Sequence, residues 1–146
     1  MSNNTYSFLF KRLDAMQPLV KGLDAYAARQ KAFASNIANS ETPGYRAKRV
    51  EFEDELRTVV DRHRRMLSRS SGTHIPVAGG QRRMDKLQPH VVENENRELI
   101  NGVNNVDIDA EMAGMATNQI QYSTAAKVLS LRYKILRSSI LGRSSG

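Results

Sequence analysis

Histidines and clustered acids are the side chains in this sequence best suited to acid–base or metal chemistry. The histidines are His63, His74 and His90, and their spacing matches no metal-ligand template. Acids cluster within residues 51–55, but such a run is more typical of the solvated start of a helix. Cysteine is absent, which excludes thiolate zinc sites and thiol nucleophiles. We therefore expect no metal site, no cofactor, no catalytic residue, no small-molecule substrate and no enzymatic activity.

The positive charge of the chain is concentrated in a basic stretch, residues 62–83. This stretch carries six arginines and no acid, and the whole chain has a formal net charge of +7. Such a stretch can bind phosphate backbones or anionic lipid, but it contains no aromatic residue for stacking bases. We favour a solvated loop and expect no nucleic-acid partner. The alternative function is a nucleic-acid-binding coiled-coil protein that uses Arg62–Arg83.

Large apolar residues recur at heptad spacing near both ends of the chain. The first stripe, from Met16 to Ile37, predicts a helix over about 18–38, with Pro18 in its first turn. The second stripe, from Ile108 to Ile140, predicts a helix about 50 Å long, with Asp107 as its N-cap. The residues that we expect in helix–helix and subunit interfaces are Leu19, Leu23, Tyr26, Phe33, Ile37, Ile108, Met112, Met115, Tyr122, Leu129, Leu131, Tyr133, Ile135, Leu136 and Ile140.

The second half of the C-terminal helix is predicted to be apolar on two faces. At about 100° per residue, Leu131 lies nearly opposite the stripe that contains Leu129, and Val128 and Ile135 lie on the far side too. The N-terminal helix can cover only one of these faces. The other face therefore requires another molecule.

A sharp turn is predicted after the N-terminal helix. Asn39 suits a left-handed C-terminal position. Residues 42–45 suit a type II turn, because Pro43 restricts φ and Gly44 tolerates a positive φ.

Together these patterns predict an all-α fold. Long amphipathic helices at the two ends pair as a coiled-coil-like bundle, joined by a long irregular, partly disordered middle segment, in which residues 50–60 could form one short helix. The predicted regions are 1–45, the N-terminal helical region; 46–104, the middle with the basic stretch; and 105–146, the long C-terminal helix.

The end of the first helix carries a familiar motif. The run Asn36-Ile37-Ala38-Asn39, followed by Thr42-Pro43-Gly44-Tyr45, resembles the N-terminal signature of bacterial flagellar basal-body rod, hook and related axial proteins. The run at 105–112 also resembles this family, whose members have a long C-terminal helix. The short chain has no room for the β-rich domains of the hook and distal rod, and the runs at 26–35, 46–56 and 137–140 look most similar to the proximal rod.

The resemblance implies a structural subunit of the proximal rod, the drive shaft of the flagellum, and a contribution to motility. Its implied partners are other copies of itself, the proximal rod protein C, the membrane-embedded basal-body ring with its rod adaptor, and the flagellar type III export apparatus. The N-terminus lacks a secretory signal pattern. The expected location is therefore the basal body on the periplasmic side of the inner membrane, reached by signal-peptide-independent export.

Overall fold

The computed structural model describes residues 16–67, 84, 86–94 and 103–142. Within these ranges the chain forms helices and one small sheet. In chain order the elements are α1 (Gln17–Ala38), β1 (Lys48–Glu51), α2 (Glu53–Leu67), β2 (His90–Glu93) and α3 (Ile108–Leu141). None of the helices in these ranges is long and apolar enough to cross a membrane.

Helix α1 confirms the prediction for residues 18–38 to within one residue. A proline stands in its first turn, where the backbone N–H groups have no partner within the helix anyway. The predicted left-handed conformation of Asn39 is wrong, because Asn39 has φ −108°. Its side chain instead donates from Nδ2 to the backbone oxygen of Ser35 at 2.8 Å. This bond holds the side chain against the last turn of α1. The chain changes direction farther on, at Gly44.

Helix α3 has the predicted start and length. The Asp107 side chain accepts a hydrogen bond from the Ala110 N–H at 3.1 Å, which confirms the N-cap. The helix has 34 residues, or about 50 Å at the standard rise, and it ends at Gly142 with φ +62°. Helix α1 has 22 residues, or about 33 Å. Helix α3 is therefore too long for α1 to cover along its whole length.

The two long helices pack against each other in antiparallel directions, which confirms the predicted pairing of the chain ends. Asn36 contacts Glu111 near the end of α1, and one turn earlier Phe33 lies against Gly114. Asn118 then bonds to Gln30. Residue numbers fall along α1 as they rise along α3, and this order sets the antiparallel register.

The face that α3 turns toward α1 differs from the predicted stripe at its N-terminal end. Ile108 and Met112 are 42% and 53% exposed, while Glu111, Gly114 and Asn118 face α1. The rotation of the helix here is decided by a glycine, which leaves room for a phenyl ring, and by two polar contacts. A hydrophobic period detects neither the glycine nor the polar contacts. Farther along, Met115 and Leu129 are half-buried, as the stripe requires. Tyr133 and Ile140 are 48% and 60% exposed.

A two-stranded sheet corrects the all-α prediction. Strands β1 and β2 pair antiparallel, from Lys48 opposite Glu93 to Glu51 opposite His90. Each strand has four residues, too few to show a clear alternating pattern. They also lie on opposite sides of the basic stretch in the sequence. The middle region is thus more regular than predicted, and its predicted short helix is confirmed as α2, although Val50 lies in β1.

The second face of α1 packs on the sheet and on α2. This side of α1 presents alanines, which allow the strand and helix to come close. The buried cluster consists of Ala25, Ala32, Val50, Phe52, Val59, Met84 and Leu87. Helix α1 therefore lies between α3 and the sheet layer and packs against both.

Several predictions fall outside the described residues. They include most of the basic stretch, since residues 68–83 are outside and the side chains of Arg62, Arg64 and Arg65 are not placed. The predicted disorder of the middle segment falls largely there as well.

Replacing Gly114 by Ala should destabilise the α1–α3 pair. An added Cβ would lie 2.7 Å from Cε1 and 2.8 Å from Cζ of Phe33, so the ring or the helix must shift. We expect a cost of about 1–3 kcal/mol in the free energy of unfolding, measured by urea denaturation followed by circular dichroism. Gly22→Ala is the matched control, because no described atom lies within 4 Å of its added Cβ, and alanine should stabilise α1 by about 0.5–1 kcal/mol. Equal effects at both positions would contradict the close approach.

Candidate functional site

Asn36 joins four parts of the fold through one buried side chain. It is fully buried, with 0% of its surface exposed. Its Nδ2 donates to the Lys48 backbone oxygen at 2.8 Å and to Oε2 of Glu111 at 2.9 Å. Its Oδ1 accepts from the Lys48 N–H at 2.8 Å and from the Tyr45 hydroxyl at 3.1 Å. The whole hydrogen-bonding capacity of the amide is used, and its partners come from the turn, β1 and α3.

Asn104 joins the segment before α3 to the end of α1. It is 1% exposed, and its Nδ2 lies 3.0, 2.8 and 3.0 Å from the backbone oxygens of Asn39, Ser40 and Thr42. These carbonyls follow the last turn of α1, where the helix no longer supplies donors. Its Oδ1 accepts from the Val106 N–H at 2.9 Å. Asn104 therefore works as a C-terminal cap for α1 supplied from the opposite end of the chain.

Asn105 adds a third bond of the same kind, because its Oδ1 accepts from the Ala47 N–H at 2.8 Å. We call Asn36, Asn104 and Asn105 the asparagine clamp. All three are buried, and each bonds to a part of the chain distant in sequence. The clamp connects the residues around the turn with those that start α3.

The turn between α1 and β1 has the predicted geometry. Gly44 has φ +72°, and the Tyr45 N–H bonds to the Thr42 oxygen at 3.2 Å. The Gly44 N–H also reaches the Val103 oxygen at 3.4 Å. The Tyr45 hydroxyl, besides donating to Asn36, lies 3.0 Å from Oγ of Ser35. The turn thus places the tyrosine beside the clamp.

The predicted signature residues divide between this network and the surface. Asn36, Asn39, Thr42, Gly44 and Tyr45 all form hydrogen bonds within it. Ile37 is half-buried, and Ala38 and Pro43 are exposed. Sequence reasoning did not assign a role to Asn104. The signal available for it was a pair of adjacent asparagines just before the N-cap of α3, outside any apolar pattern.

A second polar contact lies deeper between the helices. Asn118 is 2% exposed and donates from Nδ2 to the Tyr26 oxygen at 3.0 Å and to Oε1 of Gln30 at 2.8 Å. Its Oδ1 has no hydrogen-bond partner in the part of the chain that is described. A buried amide between paired helices favours one register over its neighbours. Sliding α3 along α1 would separate Asn118 from Gln30 and Glu111 from Asn36 together.

Glu111 is a titratable group that bonds to the asparagine clamp through Asn36. Burial raises the pKa of its carboxyl above the ordinary value of 4.5, the hydrogen bond from Asn36 opposes this rise, and the negative charge of Asp107 adds to it. Ionised Glu111 is therefore stabilised by Asn36 but is held in a less favourable solvent environment than in the unfolded chain.

The hydrogen bonds of this arrangement hold segments of the chain together. Within residues 16–67, 84, 86–94 and 103–142, no group of three or more histidines and acids could hold a metal ion. His90 lies 3.6 Å from Oε2 of Glu55, and both side chains are exposed. The buried polar groups point to one another and to the backbone.

Comparison with known proteins identifies the family. Residues 16–46, which span α1 and the turn, match the family described as "Flagella basal body rod protein". The flagellar basal body rod protein FlgB of Escherichia coli K12 is 34% identical over 119 residues, which cover 78% of this chain and 83% of the relative. This chain belongs to the FlgB family of flagellar basal body rod proteins.

Other relatives extend the match over nearly the whole chain. FlgB of Salmonella typhimurium LT2 is 31% identical over 92% of this chain and 99% of its own length. FlgB of Bacillus subtilis is 29% identical over 87% of this chain and 93% of its own length. These relatives confirm the resemblance to flagellar basal-body rod proteins, and each of them is a FlgB protein. They give no support to the nucleic-acid alternative.

Asn104→Ala should loosen the junction between the chain ends. The change removes the donor shared by three carbonyls and the acceptor for the Val106 N–H, so we expect a loss of about 2 kcal/mol or more in the free energy of unfolding. Urea denaturation of the full-length protein measures it. Asn39→Ala is the matched control, since its side chain makes local bonds to Ser35 and Thr42 and, among the described residues, to no distant segment. If the two variants lost the same small amount of unfolding free energy, the clamp would not contribute to stability.

The stability of the protein should depend on pH through Glu111. Its raised pKa means that the folded chain binds this proton more tightly than the unfolded chain. Stability relative to Glu111→Gln should therefore rise on acidification from neutral pH toward about 4.5, and fall as the pH rises again. Chemical denaturation at several pH values measures the difference. Asp109→Asn removes an exposed acid of the same helix turn and controls for net charge. A relative stability that falls on acidification would show that the bond to Asn36 outweighs burial.

Proposed function

We propose that this protein is a non-enzymatic structural subunit of the flagellar basal body rod, in its proximal part, and contributes to flagellum-dependent motility. Membership of the FlgB family carries the proposal. The geometry supports it, because the buried polar groups join α1 and the turn to the start of α3. Such fixed contacts within the chain suit a structural subunit of a shaft.

The surface of α3 supports assembly into a larger structure. Leu131, Tyr133 and Ile140 are 59%, 48% and 60% exposed, and Ile135 is 48% exposed. A helix that is apolar on several sides is normally buried. Neighbouring subunits would supply this burial, and they would keep in place the part of α3 that extends beyond α1.

We assign four kinds of partner to this subunit. They are other copies of the chain, the proximal rod protein C, the membrane-embedded basal-body ring with its rod adaptor, and the flagellar type III export apparatus. The names of the relatives support assembly with other rod components. The location that follows is the basal body, on the periplasmic side of the inner membrane, after export without a signal peptide.

The fold is compatible with export as an unfolded chain. Its clamp and helix pair join residues far apart in sequence, such as Asn36 with Glu111. These contacts form only after both ends of the chain have emerged. Most helix stability comes from such packing rather than from the helix alone, so assembly and folding would reinforce each other.

Ile140→Asp should prevent rod assembly while leaving the single chain folded. Ile140 is 60% exposed, so a carboxylate there costs little in the monomer but would be buried among neighbouring helices. In cells of the source organism that lack the native gene, we expect loss of swimming and loss of the protein from purified basal bodies.

Ser130→Asp is the matched control, because this exposed position lies between the apolar faces of α3, and it should swim normally. The native protein must also restore motility and be found in basal bodies. Absence of the native protein from the basal bodies of swimming cells would contradict the proposed function.

A further inference from the structure

Helix α3 carries an apolar face that points away from α1. We define the outer stripe as Ile120, Val128, Leu131 and Ile135, which are 67%, 39%, 59% and 48% exposed. At about 100° per residue these side chains share one side of the helix, opposite Glu111 and Leu129. The sheet and α2 pack on the other side of α1, so no described element covers the outer stripe.

The charges around the outer stripe indicate what does not cover it. Residues 112–142 contain four cations, Lys127, Arg132, Lys134 and Arg137, and no acid. Lys127 and Lys134 lie along one border of the stripe, and Arg132 lies along the other. Two such faces packed on each other would bring like charges together, which is unfavourable. A two-fold dimer through this face is therefore disfavoured, and an acidic partner surface is favoured.

The same chain presents such a surface on its opposite side. A groove of about 650 Å³ lies between the start of α2 and the sheet. We call it the acidic groove: its apolar lining is Val50, Phe52, Val91 and Val92, and its acids are Glu51, Glu53, Asp54 and Glu55. Val91 is 56% exposed. The groove thus combines an apolar floor with negative charge at its edge, and this charge is complementary to the cations that border the outer stripe.

Part of this negative charge is available to a partner. Arg29 pairs with Glu53, and Arg49 pairs with Glu51 at 2.8 Å. Asp54 has no ion pair among the described residues. Glu55 lies 3.6 Å from His90, which is an ion pair only when the histidine is protonated. Asp54 and Glu55 are therefore the acids best placed to meet the lysines of an incoming helix.

We propose that the outer stripe of one copy docks in the acidic groove of the next copy. This inference rests on the proposed function, because a rod places many copies side by side. The contact joins two different surfaces, so it repeats from copy to copy and builds a ring or an open helical stack rather than a closed pair. Lys127 and Lys134 of one subunit face Asp54 and Glu55 of its neighbour.

Cysteine crosslinking in basal bodies tests the contact, and the native chain contains no cysteine. Leu131→Cys and Val91→Cys both change exposed positions. The double variant, treated with a short bis-maleimide in purified basal bodies, should give a ladder of covalent dimers and higher multimers. Ser130→Cys combined with Val91→Cys is the matched control and should give no ladder. A dimer from Leu131→Cys alone, or no link between the two positions, overturns the proposal.

Charge reversal gives an independent test. Lys127→Glu with Lys134→Glu should abolish swimming, and adding Asp54→Lys with Glu55→Lys in the same chain should restore it. Arg137→Glu, on a different side of α3, is the control and should swim. Failure of the acid reversal to restore swimming counts against the docking.

The two proposals fail in different ways. A protein found in basal bodies without the Leu131–Val91 link leaves the rod function intact and removes only the docking. Absence of the native protein from basal bodies removes the rod function itself.

Discussion

A buried amide is stable when its hydrogen bonds are made, and the bonds of Asn36 restrict the arrangement of the segments around it. Its four bonds reach the backbone of β1, the tyrosine of the turn and the carboxylate of Glu111 in α3. Leaving any one of them unmade costs free energy in a site that excludes water. The four segments therefore have one favourable relative position. Asn104 and Asn105 repeat the arrangement from the other end of the chain.

The two parts of helix α3 differ in what they contact. The first part of α3 is held by α1 through Glu111, Gly114 and Asn118, with polar groups and a glycine where a simple coiled coil would have leucines. The second part extends past the start of α1 and keeps large apolar residues at its surface. The polar contacts fix the register within the chain, and the exposed apolar residues form the surface that we propose for contact with neighbouring subunits.

Prediction from sequence succeeded where the cause was local. Asp107 caps α3, Gly44 takes a positive φ, and α1 ends at Ala38, because each of these outcomes depends on a few neighbouring residues. It failed for the sheet, where Lys48 pairs with Glu93 and four-residue strands give almost no periodic signal. The side of α3 that meets α1 near Ile108 and Met112 also differs from the apolar stripe, because the apolar period took no account of Gly114 or Asn118. The predicted role of these two residues in subunit interfaces stays a prediction.

The sequence alone determined the two helices, the turn between α1 and β1, and the family to which the chain belongs, since these follow from short-range propensities and from a contiguous motif. Only the tertiary structure decided that Asn104 caps α1, that Asn36 reaches Glu111, and which side of α3 meets α1. The physical reason is that a polar side chain shows no periodicity. Its role depends on which distant donor or acceptor the folded chain brings within about 3 Å.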